Sequence, residues 1–115
     1  MRIYYKECFI EDIYHFDALD VLEGLKIGDT VCLSYEDKEP CYKERVMVKT
    51  SGNEKKILGL LSIEDSKSVL PFLKNEWDKL FSAQICFADK TKDGENNRIE
   101  IVIYINDKKK MYSFQ

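Results

Sequence analysis

The segment Asn97–Asn106, with the sequence NRIEIVIYIN, decides the fold class of this chain. In an extended strand successive side chains point to opposite faces, so residues two apart share a face. One face of this segment would carry Ile99, Ile101, Ile103 and Ile105. The other face would carry Arg98, Glu100, Val102 and Tyr104. This alternation predicts a β-strand with one face in a hydrophobic core.

A second alternating segment, Phe81–Phe87, lies just before it in the chain. Its predicted inner face carries Phe81, Ala83, Ile85 and Phe87. The connection Lys90–Asn97, KTKDGENN, is rich in residues that favour turns. The two segments are therefore predicted to pair as a β-hairpin.

Shorter apolar runs predict four further strands. Three lie at about Thr30–Tyr35, Glu44–Lys49 and Lys56–Leu61, and one lies within Tyr4–Tyr14. Gly28-Asp29 supplies a turn into the Thr30 strand, and the SGN sequence at Ser51–Asn53 supplies a turn between the two strands that flank it.

A first short helix is predicted over Ala18–Leu25. Asp17 is suited to cap its N-terminus, and Asp20 lies in the first turn, where the helix dipole favours negative charge. The residues predicted to share its core-facing stripe are Ala18, Leu22 and Leu25.

A second helix is predicted over about Asp65–Asn75. A proline fits a helix without distortion only in the first turn. Pro71 therefore requires either that Ser68 caps a short helix or that the helix bends there. The residues predicted to face the core are Val69, Phe72, Leu73 and Trp77.

The order of these elements is β-α-β-β-β-α-β-β, with short strands and hairpin connections. It predicts a mainly β fold with two short helices, of the α+β class. The expected architecture is a small OB-like, partly closed antiparallel β-barrel of about six strands. One domain is expected over residues 1–115, with its core at about 8–106 and a loosely docked tail at 107–115.

The charge of the chain is unevenly distributed. The formal net charge is −3 and the sequence pI is about 5.2. Residues 1–40 carry ten acidic and four basic side chains, whereas residues 41–115 carry eleven acidic and fourteen basic ones. An acidic chain is a poor non-specific binder of nucleic acid, because phosphate contacts supply much of that affinity. The basic residues that a folded surface could still gather are Lys43, Arg45, Lys49, Lys55 and Lys56; ordinary solvated strand faces are the alternative.

Cysteine usage indicates free thiols. The four cysteines are widely spaced, without a C-x-x-C pair, and His15 is the single histidine, so neither a metal site nor a cofactor is expected. The N-terminal sequence lacks the apolar run of a signal peptide, and no stretch is long and apolar enough to span a membrane. We therefore expect a cytoplasmic protein that does not bind membranes.

Catalytic motifs are absent from the sequence: it contains no phosphate-binding loop, no nucleophile elbow and no H-E-x-x-H. No catalytic residues are predicted, and the chain is not expected to be an enzyme. The enzyme alternative requires Cys41 or Cys8 to lie beside His15 in a deep pocket, as a cysteine–histidine nucleophile pair.

An ordered series of short motifs between Phe9 and Ile105 resembles the HIRAN domain. Leu25–Leu33, LKIGDTVCL, is similar to the family pattern L-x-x-G-x-x-L-x-L, and Lys55–Asp65, KKILGLLSIED, resembles its K-[IL]-G-[YF]-[IL]-P strand. Leu33–Val48 has the length and end pattern of the family segment N-P-[YF]-D-x-x-A-[VI]-x-V. The chain is thus similar to a divergent, stand-alone HIRAN domain.

The departures from the family fall at its ligand-binding signature. Pro40 is retained, whereas the signature asparagine, aromatic and aspartate are replaced, and Arg45 stands in place of an alanine. The replacing residues are Glu39, Cys41 and Tyr42. The family glycine before its aromatic pair is Asp12, and that pair is His15 and Phe16.

The resemblance implies a non-catalytic module that binds single-stranded DNA, or its 3′ end, by stacking bases on aromatic side chains. The positions expected to contact nucleic acid are His15, Phe16, Tyr42 and Arg45, with Lys43 and Lys49 on phosphates. The alternative is a protein-interaction or adaptor domain that keeps the fold but has lost the DNA pocket, with a partner such as a DNA-processing enzyme. An exposed apolar patch without a basic cleft would favour that alternative.

Overall fold

Six strands form one antiparallel sheet in the computed structural model, which describes residues 2–13, 16, 18–35, 44–74, 78–89 and 98–106. The strands are β1 (Ile3–Phe9), β2 (Thr30–Ser34), β3 (Met47–Thr50), β4 (Ile57–Leu60), β5 (Phe81–Ala88) and β6 (Ile99–Ile105). The helices are α1 (Ala18–Val21), continued by a 3-10 turn at Leu22–Gly24, and α2 (Ile63–Lys74); a second 3-10 turn, Asp78–Leu80, precedes β5. The predicted order of elements is confirmed.

The sheet curls into a half-barrel. Its strand order is β1-β6-β5-β2-β3-β4, so β1 and β4 form the two edges. The edges meet just after β1, where Glu11 N–H donates to the Leu60 carbonyl at 2.7 Å and Leu60 N–H donates to the Glu11 carbonyl at 3.0 Å. The predicted six-stranded, partly closed antiparallel barrel is confirmed at this level of description.

Gly59 permits the two edges to approach each other. Its φ is +158°, and a Cβ at this position would overlap the Glu11 carbonyl oxygen and the Ile10 Cγ2 methyl group. A glycine inside a strand often marks such a close backbone contact. Closure of the half-barrel therefore requires the absence of a side chain at this position.

The core lies on the concave face of the sheet. Ile99, Ile101 and Ile103 have no exposed surface, as the alternation in β6 predicts, whereas Ile105 is only partly buried. Residues from the other elements complete the core, among them Val46, Val48, Leu58, Leu61 and Val69. Among the described residues, no helix has the length and apolar character needed to span a membrane.

The first helix covers one end of this core. Its predicted stripe of Ala18, Leu22 and Leu25 is buried, which confirms the face assignment. The α-helical part is shorter than predicted, because the chain tightens into a 3-10 turn in which Leu25 N–H donates to the Leu22 carbonyl at 3.1 Å. The predicted cap, Asp17, lies outside the described residues.

The second helix begins two residues earlier than predicted because Ser62 caps it. The Asp65 N–H donates to Ser62 Oγ at 3.0 Å, the hydrogen bond expected of an N-cap residue. Ser68 therefore lies inside the helix, where its hydroxyl donates to the Asp65 carbonyl at 2.9 Å, and Pro71 lies a further three residues along. Val69 is buried and Phe72 and Leu73 are partly buried against the core, whereas Trp77 lies outside the described residues.

Candidate functional site

Three of the six predicted nucleic-acid-binding residues are described by the structure. His15, Tyr42 and Lys43 lie outside the described residues. Phe16 is half-buried, Arg45 lies two residues before β3, and Lys49 lies within β3, about 13 Å further along if the chain is extended. Lys49 pairs with Cys32 across the strands. The Arg45 guanidinium is directed to Leu61, Glu11 and Asp12 and not to a shared basic patch with Lys49.

Arg45 links the two edges of the half-barrel where they meet, near Glu11 and Leu61. Its Nε and Nη2 donate to the Leu61 carbonyl at 3.0 and 2.9 Å, and Nη2 also donates to Glu11 Oε1 at 2.7 Å. Its Nη1 donates to Asp12 Oδ2 at 3.3 Å. Only 15% of the side chain is exposed, and two carboxylates balance its charge. A phosphate would have to displace these partners, so the structure gives Arg45 a role in holding the fold together.

The outer, convex face of the sheet carries an open groove of about 390 Å³. Its lining consists of Phe9, Phe87, Asp89, Arg98 and Glu100, and we call it the outer groove. Phe9 on β1 and Phe87 on β5 both pair with Glu100 on the strand between them. The two phenylalanines are 51% and 45% exposed, so they form apolar walls on either side of a carboxylate.

A β-bulge in β5 turns Phe87 outward. Ile85 pairs with Ile101 and Phe87 pairs with Glu100, so Cys86 is an extra residue without a partner on β6. One extra residue moves every later side chain to the opposite face of the sheet. The prediction that Phe87 shares the inner face of Phe81, Ala83 and Ile85 is therefore wrong, because strict alternation ends at the bulge.

A tight turn with an exposed apolar residue at its tip lies beside the bulge in β5. In this turn Asp29 N–H donates to the Lys26 carbonyl at 3.0 Å, and Gly28 takes a φ of +96°, which confirms the turn predicted at Gly28-Asp29. Gly28 N–H donates to the Ile85 carbonyl at 2.7 Å, which fixes the turn beside the bulge. Ile27 at its tip is 74% exposed. A large aliphatic side chain is thus exposed to solvent on a turn beside the bulge in β5.

The described residues in and beside the outer groove include more acidic than basic side chains. Asp89 and Glu100 line it together with Arg98, and Glu7 lies beside Glu100 on the same face. Burial, together with the charge of Glu7 and a hydrogen bond to it, raises the pKa of Glu100. Arg98 is two residues from Glu100 on the same strand face, yet the structure holds no ion pair between them. The carboxylate between the phenylalanines is therefore not paired with a cation among the described residues.

A polar cluster lies where β1 meets α2, on the other face of the sheet. Lys6 Nζ forms an ion pair with Asp65 Oδ1 at 2.8 Å and donates to Ser68 Oγ at 3.4 Å. Cys8 is buried near these groups, and burial is the main reason that its pKa rises to about 12. A thiol with this pKa is protonated near neutral pH and is a poor nucleophile. The enzyme alternative requires His15 beside Cys8 or Cys41, and both His15 and Cys41 lie outside the described residues.

The buried thiol predicts a loss of stability in alkali. The Cys8 proton leaves the folded chain only near pH 12 but leaves the unfolded chain near the ordinary value of 9.0. The unfolded state is therefore favoured progressively as the pH rises from 9 to 12, and the loss reaches about 2 kcal/mol near pH 10.5. The hydrogen bond to Asp65 raises the pKa of Lys6 above its ordinary value of 10.5, which adds stability that is lost as the pH rises beyond 10.5.

Urea denaturation of wild type and Cys8→Ala between neutral and alkaline pH measures this effect. The Cys8→Ala variant is expected to lose less stability in alkali than wild type, whereas Cys32→Ala, at a half-buried position on β2, should match wild type. Identical alkaline slopes for wild type and Cys8→Ala would show that Cys8 is not the buried thiol responsible.

Comparisons with known proteins return no match of any kind: no protein-family model, no curated protein and no solved structure is similar to this chain. Within the part of the chain that the structure describes, no three potential metal ligands lie together. The outer groove is thus the feature from which a function can be inferred.

Proposed function

We propose that this chain is a non-catalytic protein-interaction module that binds a segment of a partner protein in the outer groove. The observation that supports it is the pair of half-exposed phenylalanines, Phe9 and Phe87, held by the sheet on either side of Glu100. Exposed apolar patches on a folded domain often mark interaction sites, and aromatic residues are enriched in them. Both side chains lie on paired strands, so little conformational freedom is lost on binding.

The charge of the outer groove favours a protein over a nucleic acid. Among the residues that the structure describes, three carboxylates, Glu7, Asp89 and Glu100, lie in or beside it, together with the guanidinium of Arg98. Phosphates approaching such a surface are repelled, whereas a partner with positive charge is attracted. The groove is also open to solvent, and general acid–base catalysis depends on more enclosed carboxyl groups.

The competing proposal is the one implied by the resemblance: an OB-like, HIRAN-type module that binds single-stranded DNA. One observation favours this relationship. Asp12, which stands where the family has a glycine, takes a φ of +61°, a conformation that glycine adopts without strain. This observation supports similarity of backbone, and it says nothing about retention of the DNA pocket.

Selection from a displayed library of random short peptides tests the proposed function. Peptides that bind the full chain are expected to lose at least tenfold in affinity for Phe9→Ser and Phe87→Ser, because truncating a central aromatic residue often costs more than 1 kcal/mol of binding free energy. The matched control is Ile63→Ser, which removes a 56% exposed aliphatic side chain on α2. Equal affinity of wild type and both phenylalanine variants would overturn the proposal.

A second titration separates the two proposals. Fluorescent oligonucleotides with a free 3′ end are added to the same proteins at low and at moderate salt. We expect no saturable binding that depends on Phe9 or Phe87. Tight binding of the oligonucleotide, lost in Lys49→Ala but kept in Phe87→Ser, would favour the DNA-binding module instead.

A further inference from the structure

We infer that the outer groove contains a slot for one cationic side chain, a lysine or arginine of the partner segment, with Phe9 and Phe87 as walls and Glu100 as floor. This inference rests on the proposed function and specifies the chemistry of the ligand. It follows from the geometry of the walls, from the charge of the floor and from the apolar turn beside the bulge in β5.

The walls have the spacing that such a side chain needs. Phe9 and Phe87 lie on the two strands that flank β6, and both pair with Glu100. Neighbouring strands lie about 4.8 Å apart, so the two phenylalanine backbones are about 10 Å apart. This separation accommodates one extended side chain between the rings. Lysine and arginine bind the faces of aromatic rings through cation–π interactions.

The floor carries a carboxylate that forms no ion pair within the part of the chain that the structure describes. Glu100 is half-buried beside Glu7, and neither carboxylate forms an ion pair with any of the described residues. The pKa of Glu100 is raised, as burial and a neighbouring anion would raise it. A nearby cation would lower this pKa instead. Two like charges held together reduce stability, and a cation placed between the rings would relieve their repulsion. The site is therefore complementary to positive charge.

The turn beside the bulge in β5 offers a second, apolar contact to the ligand. Ile27 is 74% exposed and lies on a turn that is hydrogen-bonded to β5 at Ile85, next to the bulge. A segment that places its cation between Phe9 and Phe87 would continue across this turn. We therefore expect an apolar residue close to the lysine or arginine in the bound segment.

The test repeats the peptide selection with charge variants of the full chain. Peptides selected on wild type are expected to be enriched in lysine or arginine next to an apolar residue. Their affinity should fall about tenfold for Glu100→Gln. The control Glu54→Gln makes the same change of charge on an exposed residue between β3 and β4 and should change affinity less than twofold. Selection on Glu100→Lys should lose the preference for basic peptides.

Each outcome distinguishes the slot from the proposed function. Enrichment of basic peptides together with the Glu100→Gln loss supports the slot. Peptides that require Phe87 but show no basic preference, or that bind Glu100→Gln as well as wild type, would overturn the slot and leave the interaction module standing. Peptides that bind without any dependence on Phe9 and Phe87 would overturn both. Thermal denaturation of each variant verifies that it is folded.

Discussion

Replacing Gly59 with alanine is expected to lower the free energy of unfolding by about 3 kcal/mol. The added methyl group would overlap the Glu11 carbonyl oxygen and the Ile10 side chain, at the point where the two edges of the sheet meet. Leu60 is fixed by its pair of hydrogen bonds to Glu11, so the backbone cannot move aside without breaking them. The φ of +158° at Gly59 lies at the margin of what a residue with a side chain adopts.

Urea denaturation of wild type, Gly59→Ala and Gly24→Ala measures this cost. Gly24 is a matched control, because a Cβ there meets no atom within 4 Å. We expect Gly24→Ala to remain within about 0.5 kcal/mol of wild type. The amide protons of Glu11 and Leu60 should exchange faster in Gly59→Ala than in wild type. Equal denaturation midpoints for the two glycine variants would contradict the closed arrangement of β1 and β4.

Replacing Ile101 with alanine is expected to cost about 4 kcal/mol, the largest effect predicted for a single residue. Ile101 has no exposed surface and lies in the middle of β6, the strand between β1 and β5. Its strand partners, Cys8 and Ile85, are buried as well. Because the cavity left behind is enclosed by two neighbouring strands, the surrounding side chains can fill little of it.

An exposed isoleucine provides the control for this substitution. Ile27→Ala removes the same atoms from a side chain that is 74% exposed, so we expect a change below about 0.5 kcal/mol. Chemical denaturation of both variants gives the comparison. Similar losses in Ile101→Ala and Ile27→Ala would show that the odd-numbered isoleucines of β6 do not face the core.

The order of the elements could be predicted from the sequence because the apolar residues repeat with the period of each element. Alternation in Asn97–Asn106 reflects a strand with one buried face, and in β6 Ile99, Ile101 and Ile103 are buried as this pattern predicts, although Val102 on the other face is buried as well. The start of α2 was predicted two residues too late, although Ser62 lies three residues before Asp65, the spacing at which a capping serine accepts a hydrogen bond from a helix amide. Local patterns of this kind do not depend on the rest of the fold.

The outer groove could not be predicted in this way. A prediction from alternation assigns faces by counting residues along the strand. A single extra residue at Cys86 therefore places Phe87 on the outer face and not on the predicted inner face. Nothing in FSAQICFA marks that residue as a bulge, because its position depends on hydrogen bonds between Ile85 and the turn at Gly28 and Asp29. The groove thus results from contacts between distant parts of the chain.

The structural role of Arg45 could not be predicted from the sequence either, because it also depends on distant residues. A basic residue in a sequence shows its charge but not its partners, and Glu11 and Asp12 are 34 and 33 residues away along the chain. Curling of the sheet brings these carboxylates to the guanidinium. A residue predicted to bind phosphate therefore holds the edges of the half-barrel together.

Solvent exposure of the phenylalanine side chains tests the central claim, that the bulge in β5 presents Phe87 outward opposite Phe9. Fluorine NMR of the chain labelled with fluorophenylalanine, in the presence of a soluble paramagnetic reagent, measures the exposure of each ring, and single Phe→Leu variants assign the signals. The signals of Phe9 and Phe87 are expected to broaden strongly, whereas that of Phe81, which is 8% exposed, should stay sharp. A Phe87 signal as well protected as that of Phe81 would contradict the account, because the outer groove would then lose one of its walls.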